Sequence, residues 1–409
     1  MIKTIVSLLA FILILMASSC KDVPPVIPGL TKSKVALYTD PDSALIYVNN
    51  QRVGNVSPFI ISDLEPGFYK IDLNRRNYLD TTISYLLKRN VDDSIYVVLR
   101  EDPKYWWKTY TTENSALPTN NLTKVRVDKY DNKWICTSSN GLIKFDGSIF
   151  TVYNTANSGI PSNNVKDIFI ADNIIWVGTN HGLGRFDGSN WKVYNSSNSQ
   201  IENDNITVVT VDQYNNVWAG TQTGLLKFDG VSFNEYNQLN SGLTMDIISA
   251  LAVGPNNILW AGTSGGGLCK YANFKWSVFS TYNSDLQDNY ISSVKFDNTG
   301  ILWVSAGSPL TGDVGTGGLS YFKNSKWYNI NRYNSGFPGV TATDLAFDKM
   351  NNAWIATDAG LAKFDGARWV VYLSSNSGLS GNSVISVSID SKQGKWCTSV
   401  GLSEYIGGN

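Results

Sequence analysis

The chain has 409 residues, a formal net charge of −1 and a charged fraction of 16%. This balance lacks the basic footprint of a nucleic-acid-binding protein, so we expect no nucleic-acid partner. Its four cysteines show neither metal-type spacing nor a disulfide framework. Three of them, Cys136, Cys269 and Cys397, lie in predicted strands, where small thiols are commonly buried.

Residues 1–19 have the pattern of a signal peptide. Ile5–Met16 is an apolar run that is too short to span a bilayer with ease. The small residues Ala17–Ser19 precede Cys20, and this arrangement resembles a bacterial lipobox. The resemblance implies that Cys20 is lipidated and anchors the chain to a membrane, whereas the alternative is an ordinary secretory signal with an incidental cysteine. Lys21 follows Cys20, which by resemblance implies an outer-membrane lipoprotein on the periplasmic or cell-surface side.

Residues 20–32 would hold the lipidated cysteine and a proline-rich tether. Residues 33–101 form a separate predicted unit of short strands separated by turns. The predicted strands are Val35–Thr39, Leu45–Val48, Tyr69–Leu73 and Ser94–Leu99. The turn Pro41–Ala44 and the stretch LEPGFYKIDLNRRNY (64–78) resemble the PEGA domain. That family implies a small β-sandwich that acts as an envelope spacer and has no enzymatic activity.

Seven tryptophans recur along the rest of the chain with gaps of 42, 42, 42, 43, 51 and 42 residues. They are Trp134, Trp176, Trp218, Trp260, Trp303, Trp354 and Trp396. A fixed period of this length indicates a repeat architecture. Each tryptophan therefore marks one copy of the same structural unit.

The second repeat shows four predicted strands, and four short strands in about 42 residues match one blade of a β-propeller. The strands are Val165–Ile170, Ile174–Thr179, Gly182–Phe186 and Trp191–Tyr194. Asp187-Gly188, between the last two, predicts a two-residue hairpin turn in which both residues have positive φ. Seven copies of the third strand are visible along the chain, but only six copies of the fourth strand follow them. Trp107–Tyr110 has the missing pattern, so an N-terminal strand should close the ring of a seven-bladed, all-β propeller over residues 105–409.

The motif WVGTxxGLxxFDG and the loop NSGIPSNNV (157–165) resemble the two-component regulator propeller repeat. In that family the propellers form the extracytoplasmic part of sensor kinases and respond to glycans. This chain departs from the family because it contains no kinase and no internal membrane span. The resemblance therefore implies ligand binding more directly than it implies signalling.

Residues that recur in every blade are expected to be structural, since each performs the same packing or turn function seven times. This interpretation covers the seven tryptophans and the Asp-Gly turns. A single carboxylate in each turn does not supply the six or more oxygens of a calcium site. We therefore expect no metal and no cofactor.

Function should lie where the repeats differ and where loops meet on one face. We take the first strand of each repeat as innermost. The position just before it is occupied in turn by Asn121, Asn164, Asn205, Ile247, Tyr290, Thr341 and Ser383. The three asparagines are ligand-binding candidates, although an asparagine also caps turns locally. Tyr290 is a stronger candidate because an exposed aromatic ring can stack on a ligand, and its structural alternative is core packing.

The loop between the second and third strands shares that face. In the second repeat it contains Asn180 and His181, and His181 is the only histidine. In the fifth repeat it is longer by nine residues, within Ser305–Gly317. Thr311 and Asp313 are candidate polar contacts there, and a neutral surface insertion is the alternative.

The sequence thus predicts a lipid-anchored binding module that captures or senses a glycan or an envelope protein. A structural scaffold of the cell envelope is the second possibility. A propeller enzyme is the third, since the streptogramin lyase propeller has similar repeats and glycosidases use carboxylate pairs. That lyase chemistry uses histidine, and no catalytic motif occurs here. The chain is therefore expected not to be an enzyme.

Overall fold

The computed structural model describes residues 33–53, 56–88, 92–100, 102–307 and 317–407. Cys20, the signal segment and the tether lie outside these residues, as do Thr311 and Asp313. The chain divides into two compact units, residues 1–101 and 102–409. None of the helices in the described ranges is long and apolar enough to cross a membrane.

The first unit is a sandwich of two small β-sheets. Its strands are β1 (Ser33–Asp40), β2 (Leu45–Val48), β3 (Gln51–Arg52), β4 (Phe59–Leu64), β5 (Gly67–Asn74), β6 (Thr81–Leu87) and β7 (Asp92–Val98). One sheet has the order β4-β1-β7 and the other β3-β2-β5-β6. Leu37 from the first sheet and Ile46, Ile71 and Leu73 from the second are buried in a common core.

Three strands of this unit, β3, β4 and β6, were not predicted from the sequence, and the two residues of β3 fall where a turn was expected. In β4 only Ile61 is buried, so the strand lacks a regular apolar alternation. In β6 most side chains are half-buried or exposed, and Leu87 alone is fully covered. Strands that bury so few side chains carry a weak pattern, because alternation records burial on one face.

The second unit is a seven-bladed β-propeller, preceded by the 3-10 helix Pro103–Trp106. Blade 1 contains β9 (Leu122–Val127), β10 (Lys133–Thr137), β11 (Leu142–Phe145) and β12 (Phe150–Tyr153). Blade 2 contains β13 (Val165–Ala171), β14 (Ile174–Thr179), β15 (Gly182–Phe186) and β16 (Trp191–Tyr194). Blade 3 contains β17 (Val208–Val211), β18 (Val217–Gly220), β19 (Leu225–Phe228) and β20 (Phe233–Tyr236). Blade 4 contains β21 (Ile248–Gly254), the 3-10 turn Pro255–Asn257, β22 (Ile258–Thr263), β23 (Leu268–Ala272) and β24 (Lys275–Phe279). Blade 5 contains β25 (Ile291–Phe296), β26 (Leu302–Ala306), β27 (Gly318–Lys323) and β28 (Lys326–Ile330). Blade 6 contains β29 (Ala342–Phe347), β30 (Ala353–Thr357), β31 (Gly360–Phe364) and β32 (Trp369–Tyr372). Blade 7 contains β33 (Ser386–Ile389), β34 (Lys395–Ser399), β35 (Gly401–Tyr405) and, from the start of the domain, β8 (Trp107–Tyr110).

The ring closes as predicted, because β8 pairs with β35 and becomes the fourth strand of blade 7. The first strand of each blade contacts the first strands of the neighbouring blades and is therefore the inner strand. Hydroxyl groups tie these inner strands together. The side chain of Thr207 donates a hydrogen bond to Ile248 O at 2.7 Å, and Thr343 donates to Val384 O at 3.1 Å. Each hydroxyl thus fixes the spacing between one blade and the next.

The recurrent tryptophans pack between blades and are held by a partner that the sequence analysis missed. In blades 1, 3, 5, 6 and 7, the indole nitrogen donates to an aspartate six residues earlier. In blade 6, Trp354 donates to Asp348 at 3.0 Å and stacks on Tyr372 with ring centroids 5.7 Å apart. Asp348 also accepts from the backbone of Met350 and Asn352. One carboxylate therefore fixes both the turn and the tryptophan.

The prediction of a two-residue turn at Asp187-Gly188 was wrong. Phe186 pairs with Trp191, so the loop has four residues. Only Gly188 has positive φ, at 97°. The carboxylate of Asp187 accepts the backbone N–H groups of Ser189 and Asn190, at 3.0 and 2.7 Å. These bonds stabilise a longer turn, since an aspartate side chain can replace a backbone acceptor.

Two-residue turns occur instead in blades 4 and 5. They are formed by Asn273-Phe274 and Asn324-Ser325, and all four residues have positive φ. Cys136, Cys269 and Cys397 are buried and unpaired, as expected. Burial raises the pKa of each thiol.

Candidate functional site

The front face of the propeller, as we define it, carries the residues before each inner strand and the loops between second and third strands. Hydrogen bonds join these two sets across neighbouring blades. Gly182 N donates to Asp204 O at 2.8 Å, and Gly360 N donates to Asn382 O at 2.6 Å. The back face carries the turns between first and second strands. All predicted binding residues in the described ranges lie on the front face.

Tyr290 lies at the front mouth of the ring and is 38% exposed. Its backbone forms a bridge with Ser264 of blade 4 and accepts a hydrogen bond from Gly307 N at 2.9 Å. The ring lies over the glycine-rich loop of blade 4, where a Cβ built on Gly265 would be 3.4 Å from the ring carbon Cζ. The ring is thus partly packed and partly available. Ile247, at the equivalent position of blade 4, is also exposed.

The three predicted asparagines differ in their surroundings. Asn205 accepts a hydrogen bond from the ammonium group of Lys166, which belongs to the neighbouring blade. The side chains of Asn121 and Asn164 make no hydrogen bond with other described residues. Asn121 is exposed and Asn164 is half-buried. Turn capping by the asparagine side chain therefore does not account for these two positions.

Asn180 and His181 lie on the same face but have different roles in the loop. Asn180 accepts a hydrogen bond from the hydroxyl of Ser162 at 2.6 Å and thereby joins two loops. His181 is exposed, and its backbone N–H donates to Thr179 Oγ1 at 3.1 Å. No group of three or more metal-ligating side chains occurs in the described ranges.

A row of exposed apolar side chains on the front face was missed by the sequence analysis. Leu239, Tyr282 and Tyr333 are 96%, 91% and 71% exposed. They occupy the tip of the loop that leaves the outer strand of blades 3, 4 and 5. We call them the rim tips. The same position holds Glu113, Ala156, Ser197 and Ser375 elsewhere.

The rim tips are fixed by the same local turn in each blade. The backbone N–H of Leu239 donates to Asn237 Oδ1 at 3.0 Å, and that of Tyr333 donates to Asn331 Oδ1 at 3.0 Å. Ser197, in blade 2, uses the same geometry. The backbone is thus repeated while the side chain changes. Comparison of the seven copies of this loop shows the change, because large apolar residues appear at the tip only in three consecutive blades.

The inner strands line a central cavity of about 260 Å³. Two ion pairs cross it. Arg126 contacts both carboxylate oxygens of Asp344, at 2.7 and 3.3 Å, and Lys124 contacts Asp167 at 2.6 Å. Burial acts to raise the pKa of Asp344, but the neighbouring Arg126, together with Lys295 and Lys124, outweighs burial and holds this pKa well below its ordinary value.

Both carboxylates also accept backbone hydrogen bonds from the next inner strand. Asp167 accepts Val209 N at 2.8 Å, and Asp344 accepts Val387 N at 3.3 Å. The two aspartates are therefore part of the joints between blades. Their carboxylate oxygens accept hydrogen bonds from Lys124, Arg126 and the backbone.

Residues 32–102 match the PEGA domain family. This segment is a PEGA domain. The PEGA domain thus accounts for the small sandwich. The whole chain matches no curated protein sequence.

Solved structures share the fold of the chain. The extracellular domain of a protein described as a hybrid two-component system from B. thetaiotaomicron aligns with a TM-score of 0.63 and 18% identity, covering 87% of this chain and 53% of that one. This chain therefore spans about half the length of that structure. An inactive histidine-to-alanine variant of virginiamycin B lyase from Staphylococcus aureus, solved with quinupristin, aligns with a TM-score of 0.57 and 12% sequence identity. The alignment covers 73% of this chain and 98% of the lyase. The structure of YCF48 bound to D1 peptide aligns with a TM-score of 0.54 and 13% sequence identity. The alignment covers 74% of this chain and 96% of YCF48.

Proposed function

We propose that this chain is an extracytoplasmic binding module whose front face captures a glycan. The observation that carries the proposal is the row of rim tips, Leu239, Tyr282 and Tyr333, exposed in consecutive blades on the face that also carries Tyr290. The large apolar tips recur in three consecutive blades, so they are not scattered singly over the surface. The remaining blades place polar or small residues at the same tip.

The separation of the aromatic side chains favours an extended glycan. Tyr282 and Tyr333 belong to different blades, and Tyr290 lies at the mouth rather than at the rim. A tyrosine supplies an apolar face for a ring and a hydroxyl group for hydrogen bonding. The free amides of Asn121 and Asn164 add donors and acceptors on the same face. Separate platforms of this kind suit a chain of sugar rings better than one continuous apolar patch would.

The comparisons support a place outside the cytoplasm. One structural relative is the extracellular domain of a protein described as a hybrid two-component system. We propose that the chain is anchored through lipidated Cys20 in the outer membrane, with the PEGA domain as a spacer. We propose no catalytic role, because the side chain of His181, the only histidine in the sequence, makes no hydrogen bond with any described residue that could orient it as a general base.

The test is a glycan array probed with the full-length chain in a mild detergent. We expect binding to a defined set of glycans, followed by loss of that binding when Tyr282→Ala and Tyr333→Ala are combined. The matched control is Tyr214→Ala. Tyr214 is 72% exposed but lies in a back-face turn, so this variant removes the same side chain from the opposite face.

Each outcome decides part of the proposal. Binding that survives in the double variant would show that the rim tips are not the site. A blank array from folded protein would overturn the glycan proposal. Crosslinking in cells would then identify an envelope protein as the ligand, if the Tyr282 and Tyr333 variants lost that partner.

A further inference from the structure

The central cavity contains one more positive charge than its ion pairs use. Three cationic side chains, Lys124, Arg126 and Lys295, line it together with two carboxylates, Asp167 and Asp344. The first two cations pair with the two carboxylates. Lys295 makes no hydrogen bond and no ion pair with any residue in the described ranges. The ammonium group of Lys295 therefore has no directly paired carboxylate of its own.

The register of the blades leaves space beside this lysine. Lys295 pairs with Trp303 in blade 5. The positions equivalent to Lys295 in the two neighbouring blades are Ala252, opposite Trp260, and Ala346, opposite Trp354. The lysine is thus flanked at its own level by two of the smallest side chains, and the carboxylate of Asp344 in blade 6 is bound by Arg126.

The rest of the cavity wall is largely apolar near blades 3 and 4. Val208, Ala250, Leu251 and Ala252 line that side. An apolar cavity of about 150 Å³ accommodates benzene. A volume of about 260 Å³ therefore gives room for an organic molecule of about ten non-hydrogen atoms. The wall and the ammonium group together suit a molecule with one negative charge and a short apolar body.

The cavity adjoins a second cavity of about 320 Å³ at the back face. Phe169, Val211 and Val253 line both of them. The second cavity is also lined by Gln213 and Asn257, which belong to back-face turns. A ligand of this size therefore has a route to Lys295 that does not cross the front face.

We propose that the central cavity binds a short-chain monocarboxylate, with its carboxylate on Lys295 and its apolar part against blades 3 and 4. The ligand supplies the negative charge that the protein lacks at this position. A single excess cation matches a monoanion rather than a dianion, because a second charge would have no partner. The site is independent of the rim tips, so its failure leaves the glycan proposal untouched.

Isothermal titration calorimetry of the full-length chain with sodium propionate and sodium butyrate, at constant ionic strength and neutral pH, tests the proposal. We expect saturable binding that weakens about tenfold or more in Lys295→Met, because a charge-assisted hydrogen bond is lost. Lys326→Met is the matched control. Lys326 is exposed in the outer strand of the same blade. The Lys326→Met substitution therefore removes the same charge at a position outside the cavity.

Lys295→Gln provides a second variant in case Lys295→Met does not fold, and it should also lose binding because it lacks the charge. Equal binding by the wild type and both Lys295 variants would overturn the site. Equal binding of chloride and propionate would overturn the carboxylate class. Saturable propionate binding that is lost in the Lys295 variants and kept in Lys326→Met would establish the monocarboxylate site at Lys295.

Discussion

The recurrent positions and the divergent positions of the propeller obey different physical constraints. Trp354 and its equivalents pack between blades, with an aspartate fixing the indole in five of them. The rim tips share a backbone turn but expose apolar side chains only in blades 3 to 5. Lys295 likewise differs from the alanines at its own level. Stability should therefore depend on the first group, and ligand binding on the second.

The largest effect is expected from Trp354→Ala. This side chain is almost fully buried and stacks on Tyr372. Its removal leaves a cavity between blades and an unpaired acceptor on Asp348, so we expect a loss of about 3–5 kcal/mol in the free energy of unfolding. Urea unfolding followed by tryptophan fluorescence measures it. A loss below about 1 kcal/mol would show that neighbouring blades relax into the space.

Asp344→Ala should cost about 3 kcal/mol, because it leaves the guanidinium group of Arg126 in the cavity without its carboxylate. The pKa of Asp344 is lowered by Arg126 against the effect of burial. Its contribution to stability is therefore present above the ordinary aspartate pKa and lost as pH falls towards the folded-state pKa. Unfolding measured from pH 7 to pH 3 should show a shallower acid loss in Asp344→Ala than in the wild type.

The double variant Arg126→Met with Asp344→Leu is the control for this pair. Replacing both partners removes the unpaired charge, so it should recover most of the lost stability. If the double variant were as unstable as Asp344→Ala alone, packing rather than charge would explain the loss.

Lys295→Met should stabilise the protein by about 1 kcal/mol at neutral pH, since the ammonium group of this half-buried residue loses part of its hydration in the folded state. Burial and the nearby Arg126 lower the pKa of Lys295 to about 8, with Lys124 acting in the same direction and Asp344 and Asp167 opposing it. The folded state therefore binds its proton more weakly than the unfolded chain does. The gain should be complete below pH 8 and should shrink as pH rises towards the ordinary lysine pKa.

The control for Lys295→Met is the exposed Lys326→Met, which should change stability little across this pH range. Thermal unfolding without added carboxylate, at several pH values, measures both variants. A destabilised Lys295→Met would mean that the lysine has a packing role that outweighs the cost of its charge.

Tyr282→Ala should have the smallest effect on stability, within about 0.5 kcal/mol, because the side chain is 91% exposed. Thermal unfolding beside Tyr214→Ala checks it. A loss above 1 kcal/mol would show that the rim tip contributes to packing, which would contradict its assignment to ligand binding.

The local pattern predicted much of the propeller because its strands repeat seven times. Ile174–Thr179, Gly182–Phe186 and Trp191–Tyr194 were predicted at their observed bounds. The ring closure by Trp107–Tyr110 was confirmed, because a missing fourth strand is visible in a count of the repeats. The Asp-Gly turn was wrong, since the carboxylate of Asp187 stabilises a four-residue loop that the dipeptide alone does not indicate.

The sites were less predictable than the strands. The face of Tyr290 and His181 follows from strand direction, so the sequence could assign it. The exposure of the rim tips depends on which loop position points outward, and seven copies had to be compared to see it. Thr311 and Asp313 lie outside the described residues and stay predictions.

By itself the sequence determined the repeat, the blade and the number of blades, because each depends on residues within about one period of each other. It also determined the small N-terminal domain through its turns. Only the tertiary structure decided the central cavity. Arg126 and Asp344 are 218 residues apart in the chain, yet closure of the ring places them 2.7 Å from each other. The unpaired Lys295 is likewise defined by neighbours from other blades, and no local pattern records which charges meet at the centre of a ring.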